Sequence, residues 1–299
     1  MSVPHIVVLG SLNVDLISAV GELPRNGQTI FAESFVIENG GKGANQAVAA
    51  KRTQVDVQLV CAVGDDEFGQ KSLSFYQSES IDINYSKIIP HSPSGIALIN
   101  IDTQGQNAIS VAPGANSLLK PQDIENIPFA NFDIILSQLE TPIDTIEAIA
   151  QNAKKHSRPF ILNPAPVHQL SISILCNTYC LTPNETEAEH LSGIQITDLD
   201  SAKKAAQVIH ELGPKNIIIT MGAKGALLYD GTAFNFSPAP QVTVKDTTAA
   251  GDTFNGVLAA LLARKMPLEN AFEYAIKAAS ITVQKKGATC SIPFITQWI

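Results

Sequence analysis

The sequence predicts an α/β protein: a doubly wound, mainly parallel, Rossmann-like sheet covered by helices, with a small β-sheet lid. The first observation behind this is a set of short, nearly continuous aliphatic runs at residues 6–9, 57–63, 134–136, 160–162 and 217–220. Runs without strict alternation suit strands buried on both faces. The second is that helical patterns separate these runs, at 44–51, 68–77, 143–155, 201–212, 252–264 and 268–284. Strand and helix in alternation imply parallel pairing. The third is a break in that rhythm. Residues 28–37 and 94–112 read as strands of alternating or mixed polarity with no helix between neighbours, so they are assigned to a separate sheet lying over the carboxyl edge of the main one. The expected organisation is one domain over residues 1–299, with lid strands inserted at about 14–38 and 94–112.

Composition agrees with a globular chain. Of 299 residues, 45% are hydrophobic, 16% charged and 6% aromatic, which leaves ample aliphatic material to bury and no signature of disorder. Twenty Lys and Arg against 28 Asp and Glu give a net charge of -8, which disfavours phosphate-backbone binding, so no nucleic-acid partner is expected. The longest purely apolar run, 257–263, is far shorter than the roughly 20 residues a membrane span needs. With no secretory signal visible at the N-terminus, a cytoplasmic location is expected. Cysteines 61, 176, 180 and 290 have neither metal-ligand spacing nor the density of a disulfide framework and are read as reduced, mostly packing residues.

The most informative stretch is 245–256, Lys-Asp-Thr-Thr-Ala-Ala-Gly-Asp-Thr-Phe-Asn-Gly, a small-residue turn opening into an apolar helix. Free N–H groups of Ala249, Ala250 and Gly251 at a helix N-terminus favour an anion such as phosphate. Asp252 beside them makes sense as a base that takes a proton from a hydroxyl attacking phosphorus, although Asp and Thr also open ordinary helices. A glycine turn at 39–46, Asn-Gly-Gly-Lys-Gly-Ala-Asn-Gln, allows close approach of backbone to a ligand; it is neither a P-loop nor G-x-G-x-x-G, and a plain tight turn stays open. Asn13 and Asp15 follow the first strand, where ligand loops sit in α/β sheets; they suit sugar hydroxyls or a simple Asx turn. Asn184 and Glu187, three apart on one helical face, suit water around Mg²⁺, against the strong alternative of acidic residues placed at a helix start. The turn 220–225 suits nucleotide phosphate or merely a hairpin.

Taken together and in order, residues 10–15, 40–45, 184–187, 220–225 and 246–252 resemble the ribokinase-like (PfkB) carbohydrate kinases over nearly the whole chain. The wording at 40–47, Gln-Leu-Glu at 138–140, Asn-Pro-Ala-Pro at 163–166 and 182–189 strengthens the resemblance. It implies Mg-ATP-dependent phosphorylation of D-ribose at the 5-hydroxyl, or of 2-deoxyribose or another small sugar, with Asp252 as catalytic base and Ala249, Ala250 and Gly251 as the anion hole. By the same match Asn13, Asp15, Gly41, Lys42, Asn45, Glu140 and Asp252 itself fall on sugar positions, and Asn184, Thr220, Gly222, Gly225 and Gly251 on ATP positions. Glu187 falls on the position that holds Mg²⁺ through water. The resemblance further implies a monovalent cation, K⁺, at Asp246, Thr248, Thr282, Lys285, Gly287 and Ser291, and a homodimer through the lid sheet. Alanine stands at 249 where many members have glycine, Ile276 stands where relatives often place a polar residue near adenine, and the C-terminal helix common in relatives is expected to be short or missing. Two rival classes lack support: a nicotinamide oxidoreductase needs G-x-G-x-x-G after the first strand, and a sugar-binding regulator needs damage at Asp252 or its loop.

Overall fold

Burial on both faces decides how the first strand, β1 (His5–Leu9), is used: Ile6 and Val8 enter one apolar cluster, Val7 and Leu9 another, and none of the four has exposed surface. A strand with two apolar faces is stable only in the middle of a covered sheet. The structure, a computed structural model, describes residues 3–299. After β1 the strands are β2 (Asn13–Val20), β3 (Ala32–Gly40), β4 (Asp56–Val60), β5 (Ala62–Gly64), β6 (Lys87–Ile89), β7 (Gly95–Ile101) and β8 (Asn107–Ala112). There follow β9 (Ile134–Ser137), β10 (Phe160–Leu162), β11 (Cys180–Leu181), β12 (Asn216–Thr220), β13 (Ala226–Tyr229) and β14 (Phe234–Ser237). The helices are α1 (Lys42–Lys51), α2 (Glu67–Ser78), α3 (Ile143–Lys155), α4 (Ile172–Cys176), α5 (Glu185–Ser192), α6 (Leu199–Glu211), α7 (Ala250–Ala263) and α8 (Leu268–Thr282).

The fold is α/β. The main sheet has eight strands in the order β14-β13-β12-β11-β10-β9-β1-β4, parallel from β12 to β4 and antiparallel at the β13 and β14 edge. From β1 the chain first adds β4 on one side and later β9 on the other, so the order reverses at β1, and such a point opens a crevice at the carboxyl ends of the strands. Helices α1, α7 and α8 cover one face and α3 and α6 the other. Twelve of the fourteen α7 residues are buried, which explains why its sequence is apolar nearly all round. Helices α1 and α7 touch through their backbones: a Cβ at Gly256 would lie 2.4 Å from the Gln46 carbonyl oxygen and 2.6 Å from Ala49 Cβ. Alanines at 44, 47, 49 and 50 make the matching shallow surface on α1.

A second sheet, in the order β3-β2-β7-β8, stands apart from the first. Here the structure corrects the reading of the sequence. The segment expected to be a loop around 10–15 gives up its turn at Asn13 and joins β2, so neither Asn13 nor Asp15 sits in an Asx turn; both are ladder residues, opposite Gly40 and Glu38. The single run 57–63 divides at Cys61, whose N–H is drawn to Ser86 Oγ (3.3 Å) and whose carbonyl accepts from Lys87 (2.8 Å), so β5 leaves the main sheet and pairs with β6. The stretch 94–112 is two strands around a turn in which the Asp102 carboxylate accepts from Gln104 and Gln106, each 2.9 Å. Of the four cysteines only Cys61 and Cys180 are packing residues; Cys176 and Cys290 are exposed, and all four are free thiols. Beyond α8 the chain makes a single 3-10 turn, Ile295–Gln297, and buries Trp298. No helix among the described residues is long and apolar enough to cross a membrane.

Candidate active site

The loop leaving β1 and the turn entering α1 lie against each other, joined by the Ala44 N–H to the Ser11 carbonyl (2.9 Å). This contact gathers residues scattered over more than a hundred positions. Glu140, just beyond β9, accepts from the Ser11 hydroxyl and from the Lys42 N–H (3.0 Å), and its other oxygen is 3.9 Å from Lys42 Nζ. Asn13 Oδ1 accepts from Asn116 Nδ2 (2.8 Å), and Asn116 also grips both backbone groups of Leu12. Asp15 lies on the same face of β2 as Asn13, against Gly40. Burial first, and then the charges of Glu38, Glu140 and Asp252, push the Asp15 carboxyl up to about 7. Burial works against the Lys42 ammonium, yet Asp252, Glu140, Glu187 and Asp15 together hold its pKa above the usual lysine value.

Asp252 is buried in the first turn of α7. Its two carboxylate oxygens are each held from α1, Oδ2 by Asn45 Nδ2 (3.0 Å) and Oδ1 by Gln46 Nε2 (3.1 Å). Burial raises its pKa from the ordinary aspartate value, against the pull of Lys42 and of these two amides. Ala249, the N-cap, takes the left-handed conformation at φ 61. Among the described residues the N–H groups of Ala249 and Gly251 have no hydrogen-bond partner, whereas that of Ala250 donates to the Thr247 carbonyl at 3.2 Å. Two of the three expected donors are therefore wholly free, and the third is engaged in a long bond.

Next to these N–H groups opens a cleft of about 570 Å³. Asn184, Thr220, Gly222, Gly225 and Gly251 all line it, and Phe254, Ile276, Ala279 and Val283 give it an apolar wall. An apolar slot ending in free donors suits a planar base at one end and phosphate at the other. The turn 222–225 is indeed the connection of an antiparallel hairpin, β12 to β13, and it borders the cleft as well. Asn184 and Glu187 cap α5 reciprocally: Asn184 Oδ1 accepts from the Glu187 N–H (2.9 Å), and the two Glu187 oxygens accept from Asn184 N–H (2.9 Å) and Nδ2 (3.0 Å). Burial raises the Glu187 pKa against those bonds and against Lys42.

Asp246 organises the neighbouring loop. Its Oδ1 accepts from the Thr248 N–H (2.9 Å) and hydroxyl (2.7 Å), and its Oδ2 from the Gly287 N–H (2.9 Å). Burial opposes the charge, but these donors outweigh it and hold the Asp246 carboxyl below its ordinary value. The other positions supply no side chain here. Thr282 Oγ1 donates to Thr253 Oγ1 (2.8 Å), Ser291 Oγ to the Ala288 carbonyl (2.7 Å), and Lys285 is exposed.

Residues 3–295 match the family of pfkB carbohydrate kinases. A ribokinase of Haemophilus influenzae is 39% identical over 290 residues, covering 96% of this chain and 95% of its own. The chain belongs to the pfkB family of carbohydrate kinases. A deoxyribokinase of Salmonella typhi is 36% identical over 296 residues, covering 98% of this chain and 97% of the other. Among solved structures, a ribokinase of Arabidopsis thaliana complexed with ribose and ATP superposes with a TM-score of 0.90 at 31% identity, covering 98% of this chain and 96% of that one.

Several residues at this centre escaped the sequence reading. Gln138 Nε2 donates to Gln46 Oε1 (2.6 Å), Gln46 Nε2 also reaches Asn163 Oδ1 (3.1 Å), and the Thr182 hydroxyl donates to Asn255 Oδ1 (2.6 Å). Asn255 Nδ2 then donates to the Gly251 carbonyl (2.9 Å), which holds the first turn of α7. Gln46, beside Asn45 in α1, and Asn255, in the apolar α7, were visible as amides among small or apolar neighbours, and such residues need partners when buried. Asn116 had no such signal, because it lies in a 3-10 turn without periodicity.

The raised pKa of Asp15 predicts a pH effect on stability. The folded form keeps a proton that the unfolded chain loses near its ordinary value of 3.8, so this contribution is whole below about pH 4 and is lost as pH rises through about 7. Urea midpoints of the unliganded wild type should fall over that window relative to Asp15→Asn; parallel curves would show that Asp15 ionises normally.

Proposed function

We propose that this chain transfers the γ-phosphoryl group of ATP to the 5-hydroxyl of D-ribose, giving D-ribose 5-phosphate and ADP. The observation that carries this is the place of Asp252: a buried carboxylate held by two α1 amides, between a pocket of polar groups and a cleft ending in free N–H groups. Asn45 Oδ1 is buried without a partner while Asn45 Nδ2 holds Asp252, and a hydroxyl-rich ligand supplies the donor such an atom needs. Asn13, Asp15, Gly41, Lys42, Asn45 and Glu140 make the polyol site of this reading.

In the reaction Asp252 accepts the proton of the sugar hydroxyl as its oxygen bonds to the γ-phosphorus and the bond to the bridging oxygen of ADP breaks. Burial raises the pKa of Asp252, which makes its carboxylate a stronger base toward that proton than an exposed aspartate. The free N–H groups of Ala249 and Gly251, with that of Ala250 on release from the Thr247 carbonyl, would meet the charge that develops on the transferred group. The lid is the second sheet, whose closure over the sugar excludes water from the phosphoryl group. Phe35, Val36, Ile37, Leu98, Ile109 and Val111 are exposed on that sheet, which supports pairing with a second copy there.

The donor set fits the expected ions in different ways. Glu187 already accepts one bond on each oxygen, so it would hold Mg²⁺ through water; bound there, the ion neutralises charge on the phosphates. Among the described residues no three His, Cys, Asp or Glu side chains converge on a metal, which fits a divalent ion carried mainly by nucleotide and water. For K⁺ the donors are hard oxygens: the Asp246 carboxylate and Thr248 hydroxyl, with carbonyls contributed near Thr282, Lys285, Gly287 and Ser291. Held there, such an ion would help order the loop 246–251, where Asp246 already ties Thr248 and Gly287.

Turnover of ribose and of 2-deoxyribose by the purified protein tests the substrate. A higher kcat/KM for ribose is expected, and the reverse would select the deoxyribokinase reading that the Salmonella relative favours. Asp252→Asn should leave ribose binding nearly intact while lowering kcat at least ~10²-fold; wild-type turnover in that variant would remove Asp252 from the chemistry.

For the cation, initial rates in a cation-free organic buffer should rise with KCl more than with NaCl at matched ionic strength. Asp246→Ala should abolish the response. Identical rates in both salts and the blank would leave Asp246 a helix-entry residue only.

A further inference from the structure

The loop of residues 283–292 is fixed at both ends and held in its middle by the second sheet. At its start the Val283 carbonyl accepts from the N–H groups of Lys245 (2.8 Å) and Asp246 (3.3 Å). At its end the Arg52 guanidinium, paired with Glu79 at 3.2 Å, donates to the carbonyls of Thr289 (2.7 Å) and Ile292 (2.8 Å). Between these anchors Gly287 donates to Asp246 Oδ2, and the next residue, Ala288, donates to Glu38 Oε2 at 3.1 Å. The Glu38 carboxylate fills the space beside the glycine that a side chain would need: a Cβ at Gly287 would lie 2.5 Å from Cys290 Sγ, 2.7 Å from Glu38 Oε2 and 3.0 Å from Oε1.

Glu38 belongs to β3, and in the antiparallel ladder it stands directly opposite Asp15 on β2. Cross-strand partners share a face and lie about 5 Å apart, so they move together. The residue that Asp15 carries along is therefore the one that grips the cation loop. With both ends of that loop pinned to α7's approach and to α1, the part left to respond is the Gly287–Ala288 peptide, beside Asp246.

We propose that Glu38 is a positioning residue that couples the sugar pocket to the cation loop, so that a polyol at Asp15 and a monovalent cation at Asp246 strengthen each other's binding. This rests on the cation reading above. By linkage the effect is reciprocal: whatever factor the cation applies to sugar affinity, the sugar applies to cation affinity. The tether works through a hydrogen bond, so an amide oxygen at position 38 serves as well as a carboxylate.

Calorimetric titration of ribose into the full-length protein, without nucleotide, tests this in KCl and in tetramethylammonium chloride at matched ionic strength. The wild type should bind ribose at least ~5-fold more tightly in KCl. Glu38→Ala should bind equally in both salts, and Glu38→Gln should keep the wild-type ratio. In the same samples ribose should slow amide exchange at 286–290 in the wild type and Glu38→Gln but not in Glu38→Ala. A wild-type ratio in Glu38→Ala, or a lost ratio in Glu38→Gln, overturns the coupling while the cation site stands. Equal binding by the wild type in both salts, together with an unchanged Asp246→Ala, overturns the cation site and the coupling with it.

Discussion

The grip of α1 on the Asp252 carboxylate is the interaction on which the rest of the centre depends. A buried carboxylate is costly unless its oxygens are satisfied, and here each oxygen has one amide donor from adjacent residues, Asn45 and Gln46. Those amides reach it because α1 and α7 approach to backbone contact, which Gly256 and the small residues of α1 permit. A bulkier interface would separate the helices and strip Asp252 of both donors. One packing decision thus sets the position of the carboxylate, its raised pKa and the direction of the N–H groups at the same helix start.

How much of this was legible in the sequence follows from where each signal lives. The sheet core was readable because its strands are uniformly aliphatic, and α3 was readable to the residue because its apolar stripe is sharp. The second sheet was readable only in outline, since strands of mixed polarity do not mark their ends; β2 falls within the lid segment expected at about 14–38, but its start was masked because Asn13 and Asp15 look like turn residues. At the site, local chemistry was visible and long-range chemistry was not. The turn 245–252 announces a helix start with a carboxylate, but nothing in it names Asn45, Gln46 or Thr182, which come from other elements. Glu38 carries no local signal in the sequence; the Ala288 N–H that it accepts from lies 250 positions away.

Several residues serve the fold and the site at once, which removes the usual choice between those readings. Asn184 and Glu187 form a full capping box, worth about 1 kcal/mol of helix stability, and the same box points Asn184 into the cleft. Asn255 satisfies Thr182 and simultaneously fixes the Gly251 carbonyl, so the peptide beside the free N–H groups is rigid before any ligand arrives. Preorganisation of this sort is why donors built into backbone act more strongly than mobile side chains.

The charge distribution explains why backbone donors are needed. Asp15, Glu140, Glu187 and Asp252 surround Lys42, and their combined field keeps that lysine charged in spite of its burial. One cation among four carboxylates cannot also neutralise a triphosphate. A polyol suits this environment, because hydroxyls donate to carboxylates without adding charge, whereas a phosphate brings more negative charge into it. The end of the cleft proposed for phosphate is accordingly met by N–H groups and the positive end of α7, which attract an anion without placing another ionised side chain beside Asp252. A lysine or arginine there would pull the Asp252 pKa back down and weaken it as a base. On the proposed reading, an acidic sugar pocket and an uncharged anion hole are two consequences of a single requirement, a carboxylate that remains basic next to phosphate.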